Sequence, residues 1–138
     1  MVKSRAKENG MPTRLRLNAA EFDGVVAQAI ERLPEEIRGY LDNMMIAVRN
    51  RPSRSMLREV GLNKGDTLLG LFQGVPLVHR SVTAPPLYPD TIYLFQEPLE
   101  EVCNTIEELE EQIEITLVHE VAHFVGMTEE RLTELGYG

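Results

Sequence analysis

The chain has 138 residues, which is the size of one ordinary domain. Hydrophobic residues make up 43% and charged residues 26%, and these values exclude a wholly disordered or fibrous chain. The single cysteine, Cys103, excludes an internal disulfide framework, so we expect a reducing, cytoplasmic location. No apolar run approaches the roughly 20 residues that span a bilayer, and we therefore expect no membrane insertion.

The formal net charge of −8 is unevenly distributed. Residues 1–17 contain five basic residues and one acid, which predicts a basic N-terminal extension followed by a single domain over residues 18–138. A solvated tail is the favoured interpretation of the extension, and an interaction arm is the alternative. The acidic remainder of the chain argues against nucleic acid as a partner. The sequence does not predict an oligomeric state.

The first half of the chain combines helices and strands. Apolar spacing predicts a helix over residues 19–33, with Asn18 as its N-cap and Pro34 at its end. A second short helical stretch follows, and the apolar run at residues 44–48 predicts a buried strand. Residues 50–66 have the composition of a loop that can contain a helical turn at residues 56–60. A second strand is predicted over residues 67–72, with a turn at Gln73 and Gly74 and a hairpin partner at residues 75–82.

The second half ends in helices. Three prolines predict an irregular loop over residues 84–90. The β-branched and aromatic residues that follow predict the clearest strand of the chain, Thr91, Ile92, Tyr93, Leu94 and Phe95. From residue 97 onward the pattern is helical. This order predicts an α+β domain in which helices back a small sheet.

The most informative segment is a predicted helix over residues 106–125. His119, Glu120 and His123 lie within one arc of its helical wheel, together with Gln112 and Thr116. The rest of the circumference is apolar, except for Glu114. A helix of this kind is buried, and its polar arc must face a cavity, a partner or a metal because unpaired buried polar groups are costly.

The polar arc spells HEVAH at residues 119–123. Two histidines at positions i and i+4 stand one above the other, so both imidazoles can reach a single zinc ion. Glu120 lies to the side of the pair, where a general base can reach a water on the metal. The alternative is that both histidines are core residues held by hydrogen bonds.

A third ligand is predicted just beyond this helix. Gly126 is placed to end the helix in a left-handed conformation, which turns the chain sharply. Glu129 can then swing back to bind the metal, with Glu130 and Glu134 as fallback ligands. The alternative for Glu129 is a solvated residue at the start of a last helix over residues 128–135, capped by Thr128.

The segment HEVAHFVGMTE at residues 119–129 resembles the extended zinc signature of metzincin-type peptidases, with an acid in place of the third histidine. The chain as a whole more closely resembles the minimal zincins, a family of zincin-like metallopeptidases. The resemblance covers roughly residues 20–136. It includes Phe22 with Val25 and Val26 in a helix that ends at Leu33 and Pro34. It also includes the segments LLGLFQG at 68–74, PDTI at 89–92 and LGY at 135–137. No methionine follows Met127, so the methionine turn of metzincins has no match.

The resemblance implies a minimal zincin fold, with a small mixed sheet packed on the HExxH helix. It implies one zinc ion per chain bound by His119, His123 and Glu129, and it implies that Glu120 is the catalytic base. It also implies a peptide or protein substrate that lies along an edge strand. We expect Thr91–Phe95, which is flanked by prolines, to be that strand, and the alternative is an edge that the prolines protect from pairing. Tyr137, Tyr88, Tyr93 and His79 are candidates for stabilising an oxyanion.

Three functions are therefore considered. The first is zinc-dependent hydrolysis of peptide bonds with a water activated by Glu120. The second is a catalytically silent zinc-binding interaction module of the same fold. The third is a structural domain that contacts a basic partner through an acidic face at residues 97–114, for which the alternative is a solvated helix face.

Overall fold

The computed structural model describes residues 2–5, 15–62, 66–74 and 89–138. The elements in chain order are β1 (Val2–Arg5), α1 (Ala19–Glu31), α2 (Glu35–Leu41), β2 (Met45–Arg49), α3 (Arg54–Glu59), β3 (Asp66–Gln73), β4 (Thr91–Phe95), α4 (Gln96–Glu101), α5 (Ile106–Val125) and α6 (Glu129–Glu134). This is the predicted α+β class. None of the helices in these residues has the length and apolar character needed to cross a bilayer.

The sheet is small and mixed, with the strand order β1-β3-β4-β2. β2 runs parallel to β4, while β3 is antiparallel to both β4 and β1. The antiparallel register of β1 and β3 is irregular between Val2 and Lys3, which face Gly70 and Leu68. Such a bulge turns two successive residues of a strand to the same face of the sheet.

Two apolar layers hold the sheet in place. On one face, α1, α2 and α5 pack on a core that includes Phe22, Ile37, Ile92 and Leu117. On the other face, α3 and the residues after it cover Leu68, Leu71 and Phe95. The helix that carries the histidines therefore packs directly on the sheet, as the resemblance implied.

The helix predicted over residues 19–33 begins at Ala19 as expected and ends two residues early, at Glu31. The Asn18 side chain accepts a hydrogen bond from the Glu21 N–H, and the Glu21 side chain caps the Asn18 N–H in return. The helical turn expected at residues 56–60 is α3, which begins with Ser53 as its N-cap. The helix expected over residues 106–125 is confirmed as α5.

Two predictions about strand position are wrong. β2 is not a buried strand, since it pairs only with β4 in the described part of the sheet and Met45 is 54% exposed. β4 is not an edge strand, because β3 and β2 flank it on both sides. Its prolines do not prevent this pairing, since Pro89 precedes the strand and Pro98 lies in the first turn of α4, where proline is tolerated.

The start of the chain is connected to the body at two points. Val2–Arg5 forms β1 and is part of the sheet rather than a free tail. Leu15 is buried, and the Leu17 N–H donates to the Glu100 carboxylate at 2.9 Å. The domain boundary at residue 18 remains a prediction. The predicted strand at residues 75–82 and residues 84–88 of the predicted loop lie outside the described residues.

Candidate metal centre

Helix α5 positions the histidines. It begins at Thr105, whose side chain accepts from the Glu108 N–H, and it ends at Gly126 in the left-handed region with φ 71°. The left-handed end confirms the prediction for Gly126, since glycine adopts this conformation without a side-chain clash. Leu109, Ile113, Leu117 and Val121 are fully buried along the helix. The orientation of α5 is thus fixed by its apolar side, and this fixes where the polar arc points.

The polar arc is graded in exposure. Thr116 and Glu120 are fully buried, His119 is half-buried and His123 is exposed. Gln112, at the start of the arc, is also partly exposed, so the arc is buried at Thr116 and Glu120 and reaches the surface at the histidines. Both imidazoles have access to solvent, which a ligand pair that takes up a metal ion needs.

Glu120 is held by the backbone of β3. Its Oε1 accepts a hydrogen bond from the Phe72 N–H at 2.7 Å, in a buried setting. In the antiparallel register Phe72 faces Ile92 of β4. A strand N–H points toward one neighbouring strand or toward the opposite edge. Since the Phe72 N–H donates to Glu120, we infer that it points away from β4 and faces the outer edge of β3, on the β1 side. Glu120 therefore occupies the position that a carbonyl of an added strand would take.

The close approach of β3 to α5 depends on Gly70. A Cβ added at this residue would lie 2.4 Å from Thr116 Cγ2 and 3.1 Å from the Tyr93 carbonyl oxygen. Thr116 precedes Glu120 by one turn of the helix. The absence of a side chain at Gly70 thus lets the strand approach near enough for Phe72 to reach the Glu120 carboxylate.

The Phe72 ring connects the histidine pair to an adjoining cavity. Its centroid lies 6.1 Å from that of His123 and 5.3 Å from that of Phe124. Phe124 lines a cavity of about 560 Å³ together with Tyr40, Met44 and Asp90, and with residues of α2 that include Gly39. The cavity is large enough for an amino-acid side chain.

Glu129 is the first residue of α6 and is exposed. Thr128 caps that helix through a bond from the Arg131 N–H, as the solvated alternative for Glu129 expected. α6 is fixed by buried Leu132 and by ion pairs from Arg131 to Glu36 and Glu134. Within the described residues, no three His, Cys, Asp or Glu side chains lie close enough together to hold a metal ion.

The donor set fits zinc in part. Two imidazoles one turn apart on a rigid helix suit zinc. Among the residues that the structure describes, no third protein ligand lies with the pair.

The other residues considered from sequence have different environments. The Tyr137 hydroxyl donates to the Glu114 carboxylate at 2.5 Å, away from the polar arc, and Arg32 Nε lies 3.4 Å from the same carboxylate. Burial and the bond to Glu114 raise the pKa of Tyr137 above its ordinary value. Tyr93 stacks on Phe95 in β4. Tyr88 and His79 lie outside the described residues.

Sequence reasoning missed the contribution of β3. Phe72 acts through its backbone N–H, and a backbone group leaves no residue-type signal. Gly70 did leave a signal, because a glycine inside an otherwise apolar strand marks a bulge or a close approach of another element.

A small mixed sheet packed on a helix that carries HExxH is the arrangement of a zincin-like minimal fold. The family model described as zincin-like metallopeptidase matches residues 41–138, which is more than two thirds of the chain. The chain belongs to this family. No curated protein matches the chain.

Proposed function

We propose that the protein is a zinc-dependent peptidase in which His119 and His123 hold the metal and Glu120 is the general base. The observation that carries this proposal is the hydrogen bond from the Phe72 N–H to Glu120 Oε1 at 2.7 Å. This bond joins the buried Glu120 carboxylate to the outer edge of β3. The two accessible imidazoles lie on the same arc of α5 as Glu120. Family membership supports the same class of reaction.

The position of each residue in the site sets its proposed role. When bound, zinc supplies a Lewis acid that acidifies a water and polarises a peptide carbonyl. The peptide lies along the outer edge of β3, where the Phe72 N–H donates to one of its carbonyl oxygens. This exchange releases Glu120 Oε1 from its present partner. Glu120 then takes a proton from the attacking water and delivers it to the leaving amine.

The proposed substrate edge replaces the one expected from sequence. Thr91–Phe95 is paired on both sides and cannot accept a further strand. Within the described residues, β1 pairs with β3 only as far as Gly70, so the outer edge at Leu71–Gln73 is not paired by β1. The substrate side chain next to Phe72 would enter the cavity lined by Tyr40 and Phe124. Glu129 remains the proposed third ligand, with Glu130 and Glu134 as the fallback.

The test is cleavage of a mixture of synthetic random-sequence peptides, with new termini read by mass spectrometry. Glu120→Gln keeps the size of the side chain and removes its basicity, so it should retain zinc and lose cleavage by a factor of at least about 100. Glu107→Gln is the matched control, since Glu107 is exposed at the other end of α5. Full activity in Glu120→Gln would refute the role assigned to Glu120.

The second candidate function is a zinc-binding interaction module of the same fold that does not turn over substrate. Bound zinc and captured peptide without any new termini would favour this function over the peptidase.

A further inference from the structure

The outer edge of β3 is shared between the proposed peptide site and the start of the chain. Val2 faces Gly70, Lys3 faces Leu68, Ser4 faces Thr67 and Arg5 faces Asp66 in an antiparallel ladder. The ladder ends two residues before Phe72. The strand that covers this edge therefore stops next to the point where Glu120 is held.

The direction of β1 determines what a bound peptide would meet. A peptide added antiparallel to β3 runs in the same direction as β1 and lies on the same line. Its residues opposite Gln73 come first, those opposite Phe72 next, and any that continue reach Gly70. That position is occupied by Val2. The part of a peptide that follows the cleaved bond thus needs the segment of the edge that β1 covers.

We propose that Val2–Arg5 is an intramolecular competitor for the peptide-docking edge of β3. The inference rests on the proposed function, because that function places the peptide on this edge. Strand addition is held by main-chain hydrogen bonds, so a segment of the chain and a foreign peptide compete for the same donors and acceptors. The peptide gains affinity in proportion to the fraction of molecules in which the edge is free.

The connection to the body makes the internal segment an effective competitor. Residues 6–14 link β1 to Leu15, which is buried, and to Leu17, which is bonded to Glu100. Because β1 belongs to the same chain as β3, dilution does not lower its effective concentration at this edge. A peptide that binds the edge by backbone pairing alone must displace it. The expected gain on removing β1 from the edge is about tenfold or more in Kd.

The test uses the full chain with the double substitution Lys3→Pro/Ser4→Pro. Successive N–H groups of a strand point to opposite sides, so one of these two residues must donate to β3, and proline removes the donor at both. Lys3→Ala/Ser4→Ala is the matched control, because it changes the side chains and keeps the N–H groups. The probe is a fluorescein-labelled synthetic peptide with the sequence of residues 1–8, and its binding is measured by anisotropy.

The proline variant should bind the probe at least about tenfold more tightly than the wild type, and the alanine variant should match the wild type. A probe with N-methyl groups at its third and fourth residues should bind none of the three proteins. Equal affinity in all three proteins, or no binding of the unmodified probe to the proline variant, would overturn the inference. Far-UV circular dichroism and the Tm establish that each variant is folded.

A second measurement avoids the proline variant. Hydrogen exchange of the wild type is followed with excess probe, and the amides of Val2–Arg5 should exchange faster when the probe is bound. Unchanged protection of these amides with bound probe would contradict the proposal. Both measurements are made with a chelator present and need neither zinc nor turnover. The binding and exchange measurements can therefore contradict the competition by β1 while Glu120→Gln still abolishes cleavage. They can also support that competition while Glu120→Gln leaves cleavage intact.

Discussion

Gly70→Ala tests the contact that sets β3 against α5, the helix that carries the histidines. The added Cβ would lie 2.4 Å from Thr116 Cγ2, which is about 1 Å less than the ~3.5 Å at which carbon atoms pack. It would also lie 3.1 Å from the Tyr93 carbonyl oxygen. Thr116 is fully buried, so strand or helix must move. Overpacking of this kind costs about 1–3 kcal/mol, of which the loss of glycine flexibility in the unfolded chain offsets about 0.5–1 kcal/mol.

The assay is the free energy of unfolding by urea for Gly70→Ala, Thr116→Ser and the double variant. Thr116→Ser removes Cγ2, the atom that the new Cβ meets, and should cost about 0.5–1.5 kcal/mol by itself. The double variant should be more stable than the sum of the single changes by about 1 kcal/mol. The rescue is partial because the contact with Tyr93 remains.

Gly24→Ala is the matched control for Gly70→Ala. Gly24 is exposed and lies in the middle of α1, and a Cβ at this residue meets nothing within 4 Å. Alanine there should stabilise the protein by about 0.5–1 kcal/mol, since it favours the helix. The reasoning would be refuted if Gly70→Ala matched the stability of the wild type, or if the effects of Gly70→Ala and Thr116→Ser were additive.

Two further predictions concern the surroundings of the site. Tyr137→Phe removes the donor to the Glu114 carboxylate and should cost about 1–2 kcal/mol at neutral pH. Because the pKa of Tyr137 is raised in the folded state, its contribution is complete below the ordinary value of 10.0 and is lost as pH rises above it. Urea unfolding between pH 8 and pH 11 should show a steeper loss in the wild type than in Tyr137→Phe, and parallel curves would contradict this. Gly39→Leu should fill the cavity lined by Tyr40 and Phe124, since a Cβ at Gly39 meets nothing within 4 Å. It should raise KM for peptides several-fold, whereas Gly24→Leu should leave KM unchanged, and both substitutions should raise the Tm slightly because they remove a glycine from a helix.

The parts of the fold that follow local rules were predicted from the sequence. The bounds of α5 follow from its apolar periodicity and from the left-handed Gly126, both of which act within a few residues. The caps at Asn18 and Thr128 are of the same kind. The positions of strands in the sheet do not follow from such rules. A strand pattern shows which faces are buried, whereas the identity of the neighbours depends on contacts between distant segments.

Thr91–Phe95 and residues 44–48 illustrate this limit. The first is β-branched and aromatic, and that composition suits an interior strand as well as an edge strand. The second is apolar throughout, which suggested a buried strand, yet β2 is partly exposed along its length. Within the site, the helical spacing predicted the shared arc of His119, Glu120 and His123. The donor to Glu120 was not predicted because it is a backbone group of a strand 48 positions away.

The central claim is that His119 and His123 hold zinc beside Glu120. The most direct test is elemental metal analysis of the untagged wild type beside His123→Ala, Glu129→Ala and Glu130→Ala, after reconstitution with zinc and dialysis. The account predicts about one zinc ion per chain in the wild type, loss in His123→Ala, weaker retention in Glu129→Ala and no change in Glu130→Ala. A wild type without zinc, or a His123→Ala variant that keeps it, would contradict the claim.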